Sequence, residues 1–131
     1  MYSEAVMEHF RNPRNVGEIA DADVTLRVGD PACGDMLLLF LKFDNELVAD
    51  VKYRILGCGA AITTSSMASE LARGKPLDEV LKLTDQDVAD ALGGLPEDKM
   101  HCSVLAVTAL HTGIMRYLAA SGQIKQGLRE E

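Results

Sequence analysis

Three cysteines, Cys33, Cys58 and Cys102, are the residues of this chain whose chemistry could be more than structural. They sit in Pro31-Ala32-Cys33-Gly34-Asp35, Gly57-Cys58-Gly59 and Lys99-Met100-His101-Cys102, each beside glycine, proline or a charged residue and none within an apolar run. Filler cysteines would not be expected to do that at every occurrence. A thiolate is a nucleophile and a soft metal ligand. Cys33 and Cys58 are 25 residues apart and Cys58 and Cys102 are 44 apart, with no Cys-x-x-Cys pair, so spacing alone matches neither a zinc finger nor a ferredoxin. Ligand arithmetic says more. Three thiolates leave a tetrahedral site one donor short, and a cluster of two irons and two sulfides needs four terminal ligands. Asp35, two residues from Cys33, and His101, adjacent to Cys102, are the available fourth donors. Either would hold iron less tightly than a fourth thiolate, which suits loading and release better than storage. Lys99 adds a positive charge that would favour thiolates and offset an anionic cluster. Its plain alternative is a solvated surface lysine.

The middle cysteine is the one the chain is built around. Val51 to Leu56 alternates like a strand, Gly57-Cys58-Gly59 interrupts it, and Ala60-Ala61-Ile62 continues as a helix, which predicts a strand-to-helix elbow at Cys58. The flanking glycines would allow unusual backbone angles there and the close approach of a ligand. Free N–H groups and the dipole at a helix N-terminus favour negative charge, and hence thiolate over thiol. Equally simple is a small hydrophobe buried at a tight turn.

A length of 131 residues fits one domain with a core of its own, and 47% hydrophobic with 25% charged residues excludes a disordered chain. A net charge of −7 argues against nucleic acid and anionic membranes and for partners with basic patches. The longest apolar run, Met36 to Leu41, is too short to span a bilayer, and no secretory signal opens the chain, so a cytoplasmic protein is expected. An odd number of widely spaced cysteines is not a disulfide framework.

The elements that must position these residues follow from periodicity and punctuation. Ser3 caps a helix through Phe10, with Tyr2, Val6, Met7 and Phe10 on one face, ended by Asn12-Pro13. Val24 to Val28 alternates as a strand, broken by Gly29-Asp30-Pro31. Met36 to Phe43 reads as a central strand, and Asp44-Asn45-Glu46 turns it into Leu47 to Leu56. Ala60 to Arg73 is helical, with a hydroxyl run, Thr63 to Ser66, expected only to bond back along the helix. Leu77 to Lys82 is a short helix, Thr84 to Asp87 opens another to Leu92, and Gly93-Gly94 closes it. An exposed loop, Leu95 to Lys99, leads to a long helix from Met100 to Ser121, with Val104, Leu105, Leu110, Ile114 and Leu118 among its apolar positions. The expected fold is α+β: a three-stranded antiparallel sheet with helices on one face, a long C-terminal helix and the metal site at one end, in one domain over residues 1–126 with a polar tail at 127–131. His9 and His111 stand in no motif and are expected to be ordinary helical residues.

Taken together, the Cys33 and Cys58 motifs, the Thr63 to Ser66 run, and Leu95-Pro96 with Lys99, His101, Cys102 and Ser103 resemble the iron–sulfur cluster assembly scaffolds of the IscU and NifU N-terminal domain family. The resemblance covers essentially the whole chain. It implies a site of Cys33, Cys58 and Cys102 with Asp35 and His101, supported by Gly34, Gly57, Gly59 and Lys99. On that site a [2Fe–2S] cluster would be assembled from ferrous iron and persulfide sulfur; the thiolates themselves predict zinc there in aerobically purified protein, because Zn²⁺ accepts the same donors and is redox-inert. It further implies a pyridoxal-phosphate cysteine desulfurase as sulfur donor and apo iron–sulfur proteins as acceptors, with the cluster held in one chain or bridging a homodimer. Members usually carry Leu-Pro-Pro-Val-Lys for an Hsp70-type chaperone. Here Glu97-Asp98 replace the apolar Pro-Val pair, which argues against that partnership, and no further cysteine domain of the NifU kind follows, so a standalone scaffold is expected. The runner-up is a SufU-like zinc-dependent sulfur acceptor, against which stand His101 and the short separation of Cys58 and Cys102. A third reading, a thiol enzyme pairing Cys102 with His101, is weakened because sequence neighbours on a helix point about 100° apart.

Overall fold

The alternation of apolar residues in the middle of the chain builds a three-stranded antiparallel meander, β1 (Val24–Asp30), β2 (Asp35–Asp44) and β3 (Leu47–Leu56), in that spatial order. The computed structural model describes residues 3–30 and 35–120, apart from the side chains of Asp30, Asp98 and His101. The motif residues Cys33 and Gly34, the expected end of the last helix at Ser121 and the tail lie outside the described residues. β1 runs two residues further than its alternation predicts, because Gly29 and Asp30 pair with Met36 and Asp35 and the ladder outweighs their poor strand propensity. The β2–β3 turn places Asn45 at φ 58°, a left-handed position that asparagine tolerates.

Helices cover one face of the sheet: α1 (Glu4–Arg11), α2 (Gly59–Ala72), α3 (Leu77–Leu81), α4 (Asp85–Ala91) and α5 (Met100–Ala120), with a single 3-10 turn, Glu97–Lys99, before α5. Leu37, Leu39 and Leu41 of β2 and Val51 and Tyr53 of β3 point into the core and meet α2 and α5. Gly113 lets α5 lie close to the sheet, since a Cβ there would come within 3.2 Å of Leu26 and closer still to Leu41. Residues 102–120 are long and apolar enough to cross a membrane by composition, but half of that window is buried, as befits a core helix. Leu105, Leu110 and Ile114 make its core face, whereas Val104, about 100° round the helix from Leu105, is exposed. The Thr84 cap is reciprocal, with Asp87 N–H donating to Thr84 Oγ1 and Thr84 N–H to Asp87 Oδ2, both at 3.0 Å.

The first helix departs from its predicted face. Val6 and His9 are buried, while Met7 and Phe10 are half exposed. The reason is polar. Ser66 Oγ lies 2.7 Å from His9 Nδ1 and accepts the Arg14 backbone N–H at 2.8 Å, so α1 is rotated to bury His9 against the middle of α2 and leave Phe10 at its first turn, half exposed. The Ser3 hydroxyl donates to the Leu92 carbonyl, fixing the start of α1 to the end of α4. The hydroxyl run therefore does more than bond back along its helix, although Thr63 and Thr64 do reach the Ala60 carbonyl as expected. Tyr53 is buried, and that burial pushes its pKa up to about 12.

Burial, with the Arg14 charge, lowers the His9 pKa below its ordinary 6.5, while Glu70 and Glu8 partly oppose them. The unfolded chain then takes up a proton more readily than the folded one. The contribution is full above pH 6.5 and is lost as pH falls below that value. Thermal melting between about pH 7.5 and about pH 5.5 should show a falling midpoint whose slope is reduced in His9→Gln. Equal slopes in the two proteins would show that His9 is not linked to folding.

Candidate metal centre

Three elements far apart in sequence deliver three donor atoms to one place. Asp35 is the first residue of β2, paired across the sheet with Asp30, and its side chain turns inward, 3% exposed. Cys58 is the N-cap of α2, in extended conformation with φ −75° and ψ 171°. Cys102, near the start of α5, is 1% exposed and packs with Ala60 and Ala61. Those alanines matter, because small side chains at the α2–α5 contact let the two helices approach until the thiols meet.

The sulfurs of Cys58 and Cys102 are 3.8 Å apart, and Cys102 Sγ lies 3.9 Å from Asp35 Oδ2. All three ligand atoms fall within 4.8 Å of one another. A tetrahedral zinc with Zn–S bonds of about 2.3 Å and Zn–O bonds of about 2.0 Å has S···S edges of roughly 3.8 Å and S···O edges of roughly 3.5 Å. The thiols thus stand at the separation they would have around a shared ion, and the carboxylate is a few tenths of an ångström too far from Cys102 and within 4.8 Å of Cys58. A buried carboxylate is costly unless compensated, and a cation among these donors would supply the countercharge. The other carboxylate oxygen, Oδ1, accepts the Cys58 backbone N–H at 3.2 Å, which aims Oδ2 at the sulfurs.

The elbow glycines serve close packing, not unusual backbone angles. Neither Gly57 nor Gly59 has a positive φ, contrary to the conformational role expected for them. A Cβ on Gly57 would strike the Asp35 carboxylate, coming within 2.9 Å of its Cγ, and a Cβ on Gly59 would sit 3.2 Å from the Phe10 ring. What approaches closely is therefore the protein's own carboxylate and an aromatic ring. The first turn of α2 has no acidic residue and the Cys58 side chain does not cap it, so the carboxylate at its positive end is that of Asp35, on the Cys58 N–H.

Of the five expected ligands, the structure brings Asp35, Cys58 and Cys102 together. Cys33 lies outside the described residues, and for His101 only the backbone, on α5, is described. Lys99 closes the 3-10 turn and is half buried. It has no ion-pair partner among the described residues and borders, with Cys58, a groove of about 390 Å³ walled by Val6, Met7 and Phe10. A thiol enzyme based on Cys102 is disfavoured by burial, since a nucleophile 1% exposed offers its substrate no approach. His9 and His111 are structural, the latter donating from Nε2 to the Val80 carbonyl at 3.0 Å. The sequence reading missed Thr64, whose hydroxyl is 3.2 Å from the Cys102 carbonyl, and Phe10, which covers Gly59. Neither carried a local signal, because a helical threonine and an aromatic on an amphipathic helix are both commonplace.

The family model for the NifU-like N terminal domain matches residues 1–123. The iron-sulfur cluster assembly scaffold protein IscU 1 of Archaeoglobus fulgidus is 50% identical, over 100% of this chain and 88% of its own length. The scaffold protein IscU of Aquifex aeolicus is 43% identical, over 95% of this chain and 81% of its own. Among solved structures, the N-terminal part of a NifU-like protein from Brucella abortus superposes with a TM-score of 0.72 at 18% identity, covering 90% of this chain and 94% of that one, which speaks for the fold.

Gly57→Ala should displace the Asp35 carboxylate and weaken zinc binding roughly ten- to a hundredfold, the range seen when a group orienting a ligand is lost. Gly59→Ala, whose methyl meets only the Phe10 ring, should retain it. Competition with a chromogenic chelator measures both; equal affinities would show that Asp35 does not support the site.

Proposed function

The chain belongs to the family of NifU-like N-terminal domains, and from that membership we propose how it works as an iron–sulfur cluster assembly scaffold. The observation that carries this is the convergence of Asp35, Cys58 and Cys102 from a strand start, a helix cap and a second helix. Cys33, Cys58 and Cys102 hold the nascent [2Fe–2S] cargo, and Asp35 or His101 completes the ligand set. Ferrous iron enters among these donors, and sulfur arrives as persulfide from a pyridoxal-phosphate cysteine desulfurase. Each such sulfur takes two electrons from a separate reductant to become sulfide. The protein's contribution is a set of thiols and a carboxylate that converge on one place, so we read it as a scaffold and not an enzyme.

Asp35 supplies the exchangeable position. A carboxylate is a hard donor that holds iron less tightly than a thiolate, so it gives way to an incoming acceptor thiolate first. Its clamp to the Cys58 N–H keeps it at the site during exchange.

Anaerobic reconstitution with ferrous iron, cysteine and a desulfurase should give sulfide-to-iron charge-transfer absorption and close to equal iron and sulfide. Binding of zinc with stimulation of the desulfurase but no such bands would turn the assignment to the zinc-dependent sulfur acceptor. Asp35→Ala should still assemble a cluster, hold it longer in air and release it more slowly to an apo-ferredoxin. A variant matching the parent in both lifetime and transfer would remove Asp35 from the exchange step. With a net charge of −7, the affinity for the desulfurase should fall as salt rises through the screening range. Salt-independent affinity would point to an apolar contact.

A further inference from the structure

The groove between α1 and the first turn of α2 opens on Cys58. Asp35 and Cys102 are sealed at 3% and 1% exposure, while Cys58 is partly exposed, so among the described residues the approach to the donors passes over it. Its wall is apolar and open: Met7 is 38% exposed and Phe10 47%, although both belong to a helix that buries Val6 and His9. Apolar side chains left outward beside a candidate site mark a surface that something covers. Lys99 borders the same groove, and among the described residues no acidic side chain lines it.

We propose that this groove docks the apo-proteins that receive the cluster, through a short segment that sets a large apolar side chain beside a carboxylate. The apolar group lies against Met7 and Phe10, and the carboxylate meets the Lys99 ammonium. The sign of the charge selects the acceptor over the sulfur donor. The chain as a whole, at −7, favours a basic partner, whereas this groove holds a cation with no acidic side chain in its lining among the described residues and favours an acidic one. The proposal rests on the scaffold reading and adds to it where the cargo leaves.

The test uses the full chain loaded anaerobically with its cluster, with an apo-ferredoxin as acceptor and visible circular dichroism to follow transfer. Met7→Gln and Lys99→Glu should each slow transfer about tenfold at sub-saturating acceptor, as expected for loss of a central contact. Leu47→Gln, at the far end of β3 and 44% exposed, should not. A capped Gly-Phe-Asp-Gly peptide should inhibit transfer competitively, and the same peptide with Ser-Asn in place of Phe-Asp should not. Thermal melting checks that each variant folds, and Phe10→Ser substitutes for Met7→Gln if that one does not. Transfer at the parental rate in the groove variants, or inhibition by both peptides alike, would overturn the proposal. Slowed desulfurase-driven assembly with unchanged transfer would also overturn it, assigning the groove to the sulfur donor. If no protein in the set acquires charge-transfer absorption, the scaffold reading fails, which is a separate outcome.

Discussion

The hydrogen bond from the Cys58 backbone N–H to Asp35 Oδ1 holds together the two halves of the candidate centre. It ties the first residue of the central strand to the N-cap of α2, across 23 positions of chain. Only glycine at 57 permits it, because any Cβ there would occupy the carboxylate's place. Once that carboxylate is fixed, its second oxygen faces Cys102, and the small Ala60 and Ala61 let α5 bring the thiol within reach. Strand, elbow and last helix are thus held in register by one polar contact and a patch of small side chains.

A second polar layer supports the arrangement from behind. Ser66 accepts the Arg14 N–H and meets His9, Ser69 meets Asn15, and Thr64 lies beside the Cys102 carbonyl. These hydroxyls sit on α2, so the helix that begins with Cys58 also anchors α1 and the segment after it. Buried hydrogen bonds of this kind are directional, and they fix rotation about a helix axis where apolar contact alone would not. The rotation of α1 is the consequence with functional reach, since it turns Met7 and Phe10 outward over the groove.

Charge is distributed to match. Overall acidity suits a basic partner, the positive end of α2 lies at Cys58, Lys99 shares a groove with it, and the one described carboxylate at the centre is held by a backbone amide. A donor set of thiols with an exchangeable oxygen fits a protein that passes its metal on.

Much of this was legible in the sequence because it is written locally. Alternation in Val24 to Val28 and Val51 to Leu56 is a period, the Thr84 capping box is a four-residue pattern, and the cysteines at element ends, with Asp35 beside the first, are a matter of neighbours along the chain. Length, charge and these patterns together determined the α+β class, the order of elements and the residue types of the candidate metal centre. Tertiary structure alone decided the rest. Gly57 serves the Asp35 carboxylate and not a backbone turn, β1 continues through Gly29-Asp30 because β2 lies alongside, and α1 buries His9 rather than Phe10 because Ser66 is there to meet it. Each depends on an atom more than twenty residues away in the chain or on an opposing strand, and no local period or motif encodes which distant side chain a residue will meet.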